Sequence, residues 1–404
     1  AASFIPSSMH CAECHSQWRE AEYDMAEVAK TFPSELEERS LDLWRYRELL
    51  PIRHPDPTLR LGEGGTPLIQ APKLGLMLGL PNLFIKDERQ GPTSSFKDRQ
   101  AAVTIAALKE GGVTELVAAS TGNVAIALSA YAARAGLKLW AFVTDRVPES
   151  KVREIALYGS RIVKIIGSYD EAKRAAADFA RQRGLYQDMG ARTVAAVEAM
   201  KTIAFEIAEQ LTLVLGPAPG STRERPKWRT PDWYIQAVSG GMGPLGVCKG
   251  FRELATLGLV DRIPALAPIQ AEGCSPMVLG WKQGLEQAEP VLSPKTRIET
   301  LATGDPGRTY TMLRNRVNET GGVFESASDE DAFRAMHVLA RREGISAEPA
   351  AGVAFAGLFK LVRAGIIEPT DTVVVNCTGH TMPAEEALFG EGWPSDADSS
   401  FDPE

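Results

Sequence analysis

Lys97 heads a helix-forming run, directly after the polar stretch Gln90-Gly91-Pro92-Thr93-Ser94-Ser95-Phe96. A helix begins at its positive end, so a solvated ammonium is disfavoured there, whereas an amine kept neutral or condensed with an aldehyde escapes that penalty. Two loops offer the complementary chemistry. Ser120-Thr121-Gly122-Asn123 and Ser239-Gly240-Gly241-Met242-Gly243-Pro244 each follow a strand-like run and open a helix-like one. Backbone amides at such a junction point at whatever anion sits there. Glycine lets the chain approach a phosphate, and proline suits the first helical turn. Neither loop has the lysine of a P-loop or the spacing of a dinucleotide fold, so a cofactor with a single phosphate fits better. Taken singly, the lysine fits a snorkelling surface side chain equally well, and each loop fits a tight turn.

The elements that must position these residues alternate regularly. Residue patterns predict strands over 83–86, 115–119, 139–143 and 161–166, with helices over 97–109, 124–135 and 150–157 between them. Ser168-Tyr169-Asp170-Glu171 is a capping box, in which hydroxyl and carboxylate each satisfy an exposed amide; it opens a helix ending near Gly184. A second block follows: helix 199–211, strand 233–238, helix 245–254 and strand 267–271. A helix from Ser328 to Gly344, a helix over 350–363 and strand 372–376 complete it. Such alternation is the signature of parallel sheets wrapped by helices, an α/β fold. Residues 1–60 read as a polar lead-in with a helix over 35–50. Residues 217–232 form a Pro/Gly loop carrying Arg223, Arg225, Lys227 and Arg229, and residues 391–404 an acidic tail expected to be disordered.

Composition narrows the partners. The chain has 404 residues and a formal net charge of −8, which disfavours nucleic acid and anionic membranes while leaving small anionic ligands open. No apolar run is long enough to cross a bilayer, and Ala1-Ala2-Ser3-Phe4-Ile5-Pro6 does not read as a secretion signal, so a cytoplasmic location is expected. The five cysteines are too few and too scattered for a disulfide framework. Cys11-Ala12-Glu13-Cys14-His15 has the spacing of a haem attachment site or half a zinc knuckle. Without a second ligand pair, no metal is expected there.

Pro92-Thr93-Ser94-Ser95-Phe96-Lys97-Asp98-Arg99 closely resembles the lysine signature of threonine synthases and their serine/threonine dehydratase relatives. The resemblance extends from about residue 62 to 390. It includes Gly62-Glu63-Gly64-Gly65-Thr66-Pro67-Leu68, Ser120-Thr121-Gly122-Asn123, Lys201-Thr202-Ile203-Ala204-Phe205-Glu206 and Cys377-Thr378-Gly379-His380. It implies a two-domain pyridoxal 5'-phosphate (PLP) enzyme of fold type II, tryptophan synthase beta-like, each domain a mostly parallel sheet flanked by helices. The smaller domain would span 91–178 and the larger 61–90 and 179–390, with the active site between them and two copies forming a homodimer. The resemblance also implies roles. Lys97 forms a Schiff base with PLP and moves substrate protons. Asn123 meets the 3'-oxygen, the amides of Gly240, Gly241, Met242 and Gly243 bind the phosphate, and Thr378 meets the pyridine nitrogen. Ser120 and Thr121 hold the substrate's α-carboxylate. Phe96 reads as packing, and Asp98 and Arg99 as braces of the loop.

The implied activity is that of a lyase or synthase of the threonine synthase group, acting at the β- or γ-carbon of an amino acid. A hydroxy-amino-acid dehydratase is the second reading. The third is a PLP-binding regulator or scaffold without catalysis, against which intact Lys97, Asn123 and Thr378 argue. Four positions depart from the family pattern. Ala196 stands where an arginine commonly grips the phosphate of O-phosphohomoserine, Val124 where threonine is usual, and Gly240 and Gly243 where asparagines are common. The first departure leads to the expectation that O-phosphohomoserine is a poor substrate.

Overall fold

The structure is a computed structural model that describes residues 10, 11, 13–120, 122–222 and 226–381. Thr121, Arg223, Arg225 and the 391–404 tail lie outside the described residues. Ten strands are found among the described residues, in chain order β1 Leu68–Gln70, β2 Leu83–Asp87, β3 Glu115–Ala119, β4 Lys138–Thr144, β5 Arg161–Ile165, β6 Tyr186–Asp188, β7 Trp233–Ala237, β8 Ala265–Ala271, β9 Glu325–Ala327 and β10 Val373–Cys377. They form a six-stranded sheet, β1-β2-β10-β7-β8-β9, and a four-stranded sheet, β5-β4-β3-β6. All pairs are parallel except β1 with β2. The small sheet takes its edge strand β6 from beyond residue 178.

Central strands β10 and β7 are buried along their whole length, as helices on both faces require. Alternate residues serve opposite faces. Phe84, Tyr234 and Val374 pack with helices Val194–Leu215, Met242–Thr256 and Arg308–Glu319. Ile85, Ile235 and Val375 pack with Pro72–Leu78, Asp329–Glu343 and Pro349–Arg363. The capping box forms as expected: Ser168 Oγ accepts from the Glu171 amide, and Glu171 returns the bond. Among the described residues, no helix is long and apolar enough to cross a membrane.

The helix expected over 35–50 is not formed. Leu36–Glu38 and Leu43–Leu49 are separate tight turns, with Arg39 and Asp42 extended between them. The reason lies across the chain. Gly64 and Gly65 press so closely on the backbone of Leu43 and Leu41 that a β-carbon at either position would collide, which fixes this stretch in an irregular path. Asp42 then caps the second turn by accepting from the Arg45 amide at 3.0 Å. Helix Val194–Leu215 begins before and ends after the expected 199–211, because no glycine or proline interrupts it before Gly216, at φ +76°.

One ionic network ties these parts together. Arg99, 1% exposed, donates to Glu88 through Nε and Nη2 at 2.8 Å each. It also reaches Glu206 through Nη1 (2.6 Å) and Nη2 (2.7 Å), Thr202 Oγ1 (3.0 Å) and Thr66 Oγ1 (3.0 Å). Lys86 Nζ adds bonds to Glu206 (2.7 Å), the Thr66 carbonyl (2.6 Å) and Gln210 (2.9 Å). Two cations thus balance two carboxylates. Burial alone would raise the Glu206 carboxyl, but Arg99 and Lys86 outweigh it and hold the group well below its usual range. Its stabilising effect is therefore present above the unfolded pKa of about 4.3 and is lost as pH falls through the folded value.

Removing one charge from this network leaves a buried cation under-compensated. Glu206→Gln should lower the unfolding free energy by about 3–5 kcal/mol in urea titrations at neutral pH, the deficit narrowing as the solution is acidified. A loss below about 1 kcal/mol, as at an exposed pair, would contradict that role for the network.

Candidate active site

The carboxyl ends of the parallel strands converge on one cavity of about 1060 Å³ between the two sheets. Ligand sites in open α/β sheets form at this edge. Ser120 follows β3, Asp188 ends β6, the 238–243 turn follows β7 and Thr378 follows β10; all line the cavity together with Lys97 and Asn123. The structure thus brings together Lys97, Ser120, Asn123, residues 240–243 and Thr378.

Lys97 is the first residue of helix Lys97–Glu110. Backbone bonds strap its loop to the end of β10. The Phe96 amide donates to the Thr378 carbonyl (3.0 Å), the His380 amide to the Ser94 carbonyl (2.9 Å), and Ser95 and Gly379 form an antiparallel bridge. Asp98 braces the same loop by accepting from the Thr93 amide (3.0 Å) and hydroxyl (2.6 Å), while burial raises its carboxyl to about 7. Burial also lowers the Lys97 amine to about 8, against the opposing pull of Asp188 and Glu348. Its Nζ lies 4.1 Å from the centroid of the Phe96 ring, so Phe96 packs on the amine.

The glycine loop ends at Gly241, at φ +81°, which caps helix Met242–Thr256. The first amides of a helix have no intrahelical acceptor, and here they open on the cavity. A β-carbon on Gly240 would meet nothing within 4 Å, whereas one on Gly243 would run into the Gln236 amide. Gly240 thus leaves room for a ligand, and Gly243 lets the helix start pack on β7. Ser120 is turned inward: its Oγ accepts from the amides of Gly122 (3.1 Å) and Ala125 (3.2 Å) and so ties the loop to the first turn of helix Asn123–Ala135.

Glu348 and Asp188 were missed in the sequence, and both are central. The Glu348 carboxylate accepts from Thr378 Oγ1 (3.1 Å) and Asn123 Nδ2 (2.8 Å), while Lys151 Nζ donates to Asn123 Oδ1 (2.7 Å). Glu348 precedes helix Pro349–Arg363 without capping it, which leaves its side chain to the cavity. A glutamate directly before a helix-opening proline was the available signal. Asp188 is buried and accepts from Gln100 Nε2 at 3.3 Å, but it ends a strand of three residues, too short to show a period.

The position singled out for a missing arginine requires a correction. Ala196 is fully buried in the apolar core and does not line the cavity. It lies in the first turn of its helix, facing inward. Arg192, on the turn Gly190–Arg192 just before that helix, does line the cavity, and its Nη1 donates to Gln17 Oε1 at 2.6 Å. Lys227 and Arg229 of the 217–232 loop are engaged elsewhere, with Asp261 (2.6 Å) and the Gly216 carbonyl (3.0 Å).

Residues 59–379 match the family described as "Pyridoxal-phosphate dependent enzyme". The chain belongs to this family. It is 32% identical to the threonine synthase of Methanocaldococcus jannaschii, over 91% of this chain and 87% of that protein. It is 33% identical to that of Methanosarcina acetivorans, over 89% and 84%. The processed form of threonine deaminase isoform 2 from Solanum lycopersicum shares its fold, with a TM-score of 0.64 at 20% identity over 78% of this chain and 84% of that one. The architecture is fold type II, as the sequence implied. The cavity also fits the family's cofactor: an amine at a helix start, an anion-binding helix N-terminus and an open backbone at Gly240 share one space.

Only a neutral amine attacks an aldehyde, so the rate of PLP capture by apoprotein should rise with pH and level off with a midpoint near 8. Asp188→Asn removes a charge that favours the ammonium and should move that midpoint down. A wild-type midpoint near the unperturbed value of about 10.4 would show that the amine is not desolvated.

Proposed function

We propose that the chain is a PLP-dependent lyase of the threonine synthase group, acting at the β- or γ-carbon of a small amino acid. The observation that carries this reading is the convergence of Lys97, Asn123, residues 240–243 and Thr378 on one cavity. When bound, PLP supplies the electron sink that lets a bond at the amino acid's α-carbon break.

The chain's own residues would do the rest. Lys97 holds the cofactor through its Nζ and, once released from it, carries protons at that atom; an amine near 8 is matched to this work at neutral to mildly alkaline pH. The amides of Gly240, Gly241, Met242 and Gly243 hold the phosphate at the helix start. Asn123 meets the 3'-oxygen and Thr378 the pyridine nitrogen. A hydroxyl at that nitrogen makes the ring a weaker sink than a carboxylate would, which favours elimination and replacement over transamination. Glu348, one hydrogen bond behind Thr378, is placed to tune that balance. Ser120 Oγ is engaged by the amides of Gly122 and Ala125, so the amides that open helix Asn123–Ala135 between them are the better contacts for the substrate α-carboxylate. A homodimer and a cytoplasmic setting belong to this reading on the family resemblance and on the relatives named threonine synthase.

Borohydride reduction of the holoprotein should fix the cofactor covalently, and peptide mapping should find it on Lys97. Lys97→Ala should abolish turnover, because anchor and proton carrier are lost together. Assays on O-phosphohomoserine, O-phosphoserine, threonine and serine should show release of phosphate or ammonia from at least one of them. An adduct on another lysine would overturn the site, and no turnover of any of the four by intact holoprotein would overturn the activity.

A further inference from the structure

Residues 13–24, which carry Cys14, take no part in either sheet, yet one of their side chains lines the active-site cavity and another bonds a residue of its wall. Trp18 forms part of its wall, and the Arg308 guanidinium stands 5.8 Å from the Trp18 ring centroid. Gln17 Oε1 accepts from Arg192 Nη1 at 2.6 Å, and both arginines line the same cavity. Both Gln17 and Trp18 are partly buried. Trp18, Arg192 and Arg308 line the same cavity as the groups that fit PLP and are not themselves among those groups, so they are available to the amino acid.

The arm is anchored to the helices that build this wall. Tyr23 Oη donates to Glu198 Oε2 at 2.9 Å, its ring lies 3.9 Å from Lys201 Nζ, and Lys249 Nζ donates to the Ala21 carbonyl at 2.6 Å. Those partners form a second buried network: Lys201 pairs with Glu198 (2.6 Å) and Glu253 (2.9 Å), and Lys249 with Glu198 (2.5 Å). Two lysines again balance two glutamates, on helix Val194–Leu215, which follows the Arg192 turn, and helix Met242–Thr256, which follows the glycine loop. A chain segment that engages groups buried this deeply is docked and not trailing.

We propose that this arm is part of the active site, with Gln17 and Trp18 as specificity-determining residues. Gln17 fixes the direction of the Arg192 guanidinium, and Trp18 forms a flat wall that holds Arg308 by its cationic face. Both arginines then present to the side-chain end of the bound amino acid. This assignment rests on the PLP reading of the cavity. It has a chemical consequence: losing Gln17 frees an arginine, and so weakens an anionic side chain more than a neutral one.

The test compares wild type with Gln17→Ala, Trp18→Ala and Trp18→Phe as holoproteins. Affinity for O-phosphoserine and for serine, which differ only in the phosphate, is read from the change in cofactor absorbance. Cofactor affinity is measured alongside. Gln17→Ala and Trp18→Ala should weaken O-phosphoserine by roughly tenfold or more, as loss of an ordered charged contact does, with a smaller effect on serine and none on the cofactor. Trp18→Phe should recover part of the loss. Equal effects on the two amino acids, or none on either, would overturn the proposal. Trypsin cleavage after Arg19 of the apoprotein separates the two readings: it should be slow in wild type and faster in Tyr23→Phe. Rapid cleavage there in wild type would overturn the arm's placement whatever the cofactor does. A docked arm on a protein that takes up no PLP would instead sink the PLP reading.

Discussion

The Arg99 guanidinium is the constraint on which the rest of the structure depends. It is clamped between Glu88 and Glu206, with Thr66 and Thr202 filling its remaining donors. Few arrangements satisfy a planar fork of five donors away from water, so the partners are fixed relative to one another. They come from the glycine loop at 62–66, the end of β2 and helix Val194–Leu215. Arg99 itself lies two residues past Lys97, in the first turn of its helix. The amine is held in place because the turn that carries it is bolted to three other segments.

A second consequence is electrostatic. The charges around Arg99 neutralise one another within the core, so Lys97 answers mainly to its own burial and to the two carboxylates at its cavity. Those carboxylates come from opposite sides. Asp188 closes the small sheet at β6, and Glu348 stands before a helix packed on the large one. Closing or opening the space between the sheets would therefore change the balance at the amine. The geometry of the fold and the reactivity of the lysine are coupled through these two groups.

How much of this could be read from the sequence followed the length and locality of each signal. The lysine helix, the strand-to-helix loops and the capping box at Ser168 were legible, because a helix start needs particular residues at fixed offsets. Strands β1, β6 and β9, three residues each, were not, since no period can be seen over so short a run. The helix expected over 35–50 failed for a reason no local pattern holds: glycines more than twenty positions away press on that backbone. Ala196 makes the same point at the site. The family pattern located a position but not the direction its side chain faces; Ala196 turns into the core, and Arg192 is at the cavity instead. Glu348 and Trp18 are separated from Lys97 by hundreds and by tens of residues, and only the folded chain brings them to it.

The central claim is that the Arg99 clamp sets the position of Lys97 and hence the hold on the cofactor. Arg99→Lys keeps one charge but loses the planar fork, so it tests geometry apart from net charge. The deciding measurement is PLP affinity of this variant, determined by equilibrium titration of apoprotein whose far-ultraviolet circular dichroism matches wild type. The account predicts affinity lower by roughly tenfold or more, as the loss of charge-assisted bonds that fix a helix start implies. Wild-type affinity in a folded Arg99→Lys protein would contradict it.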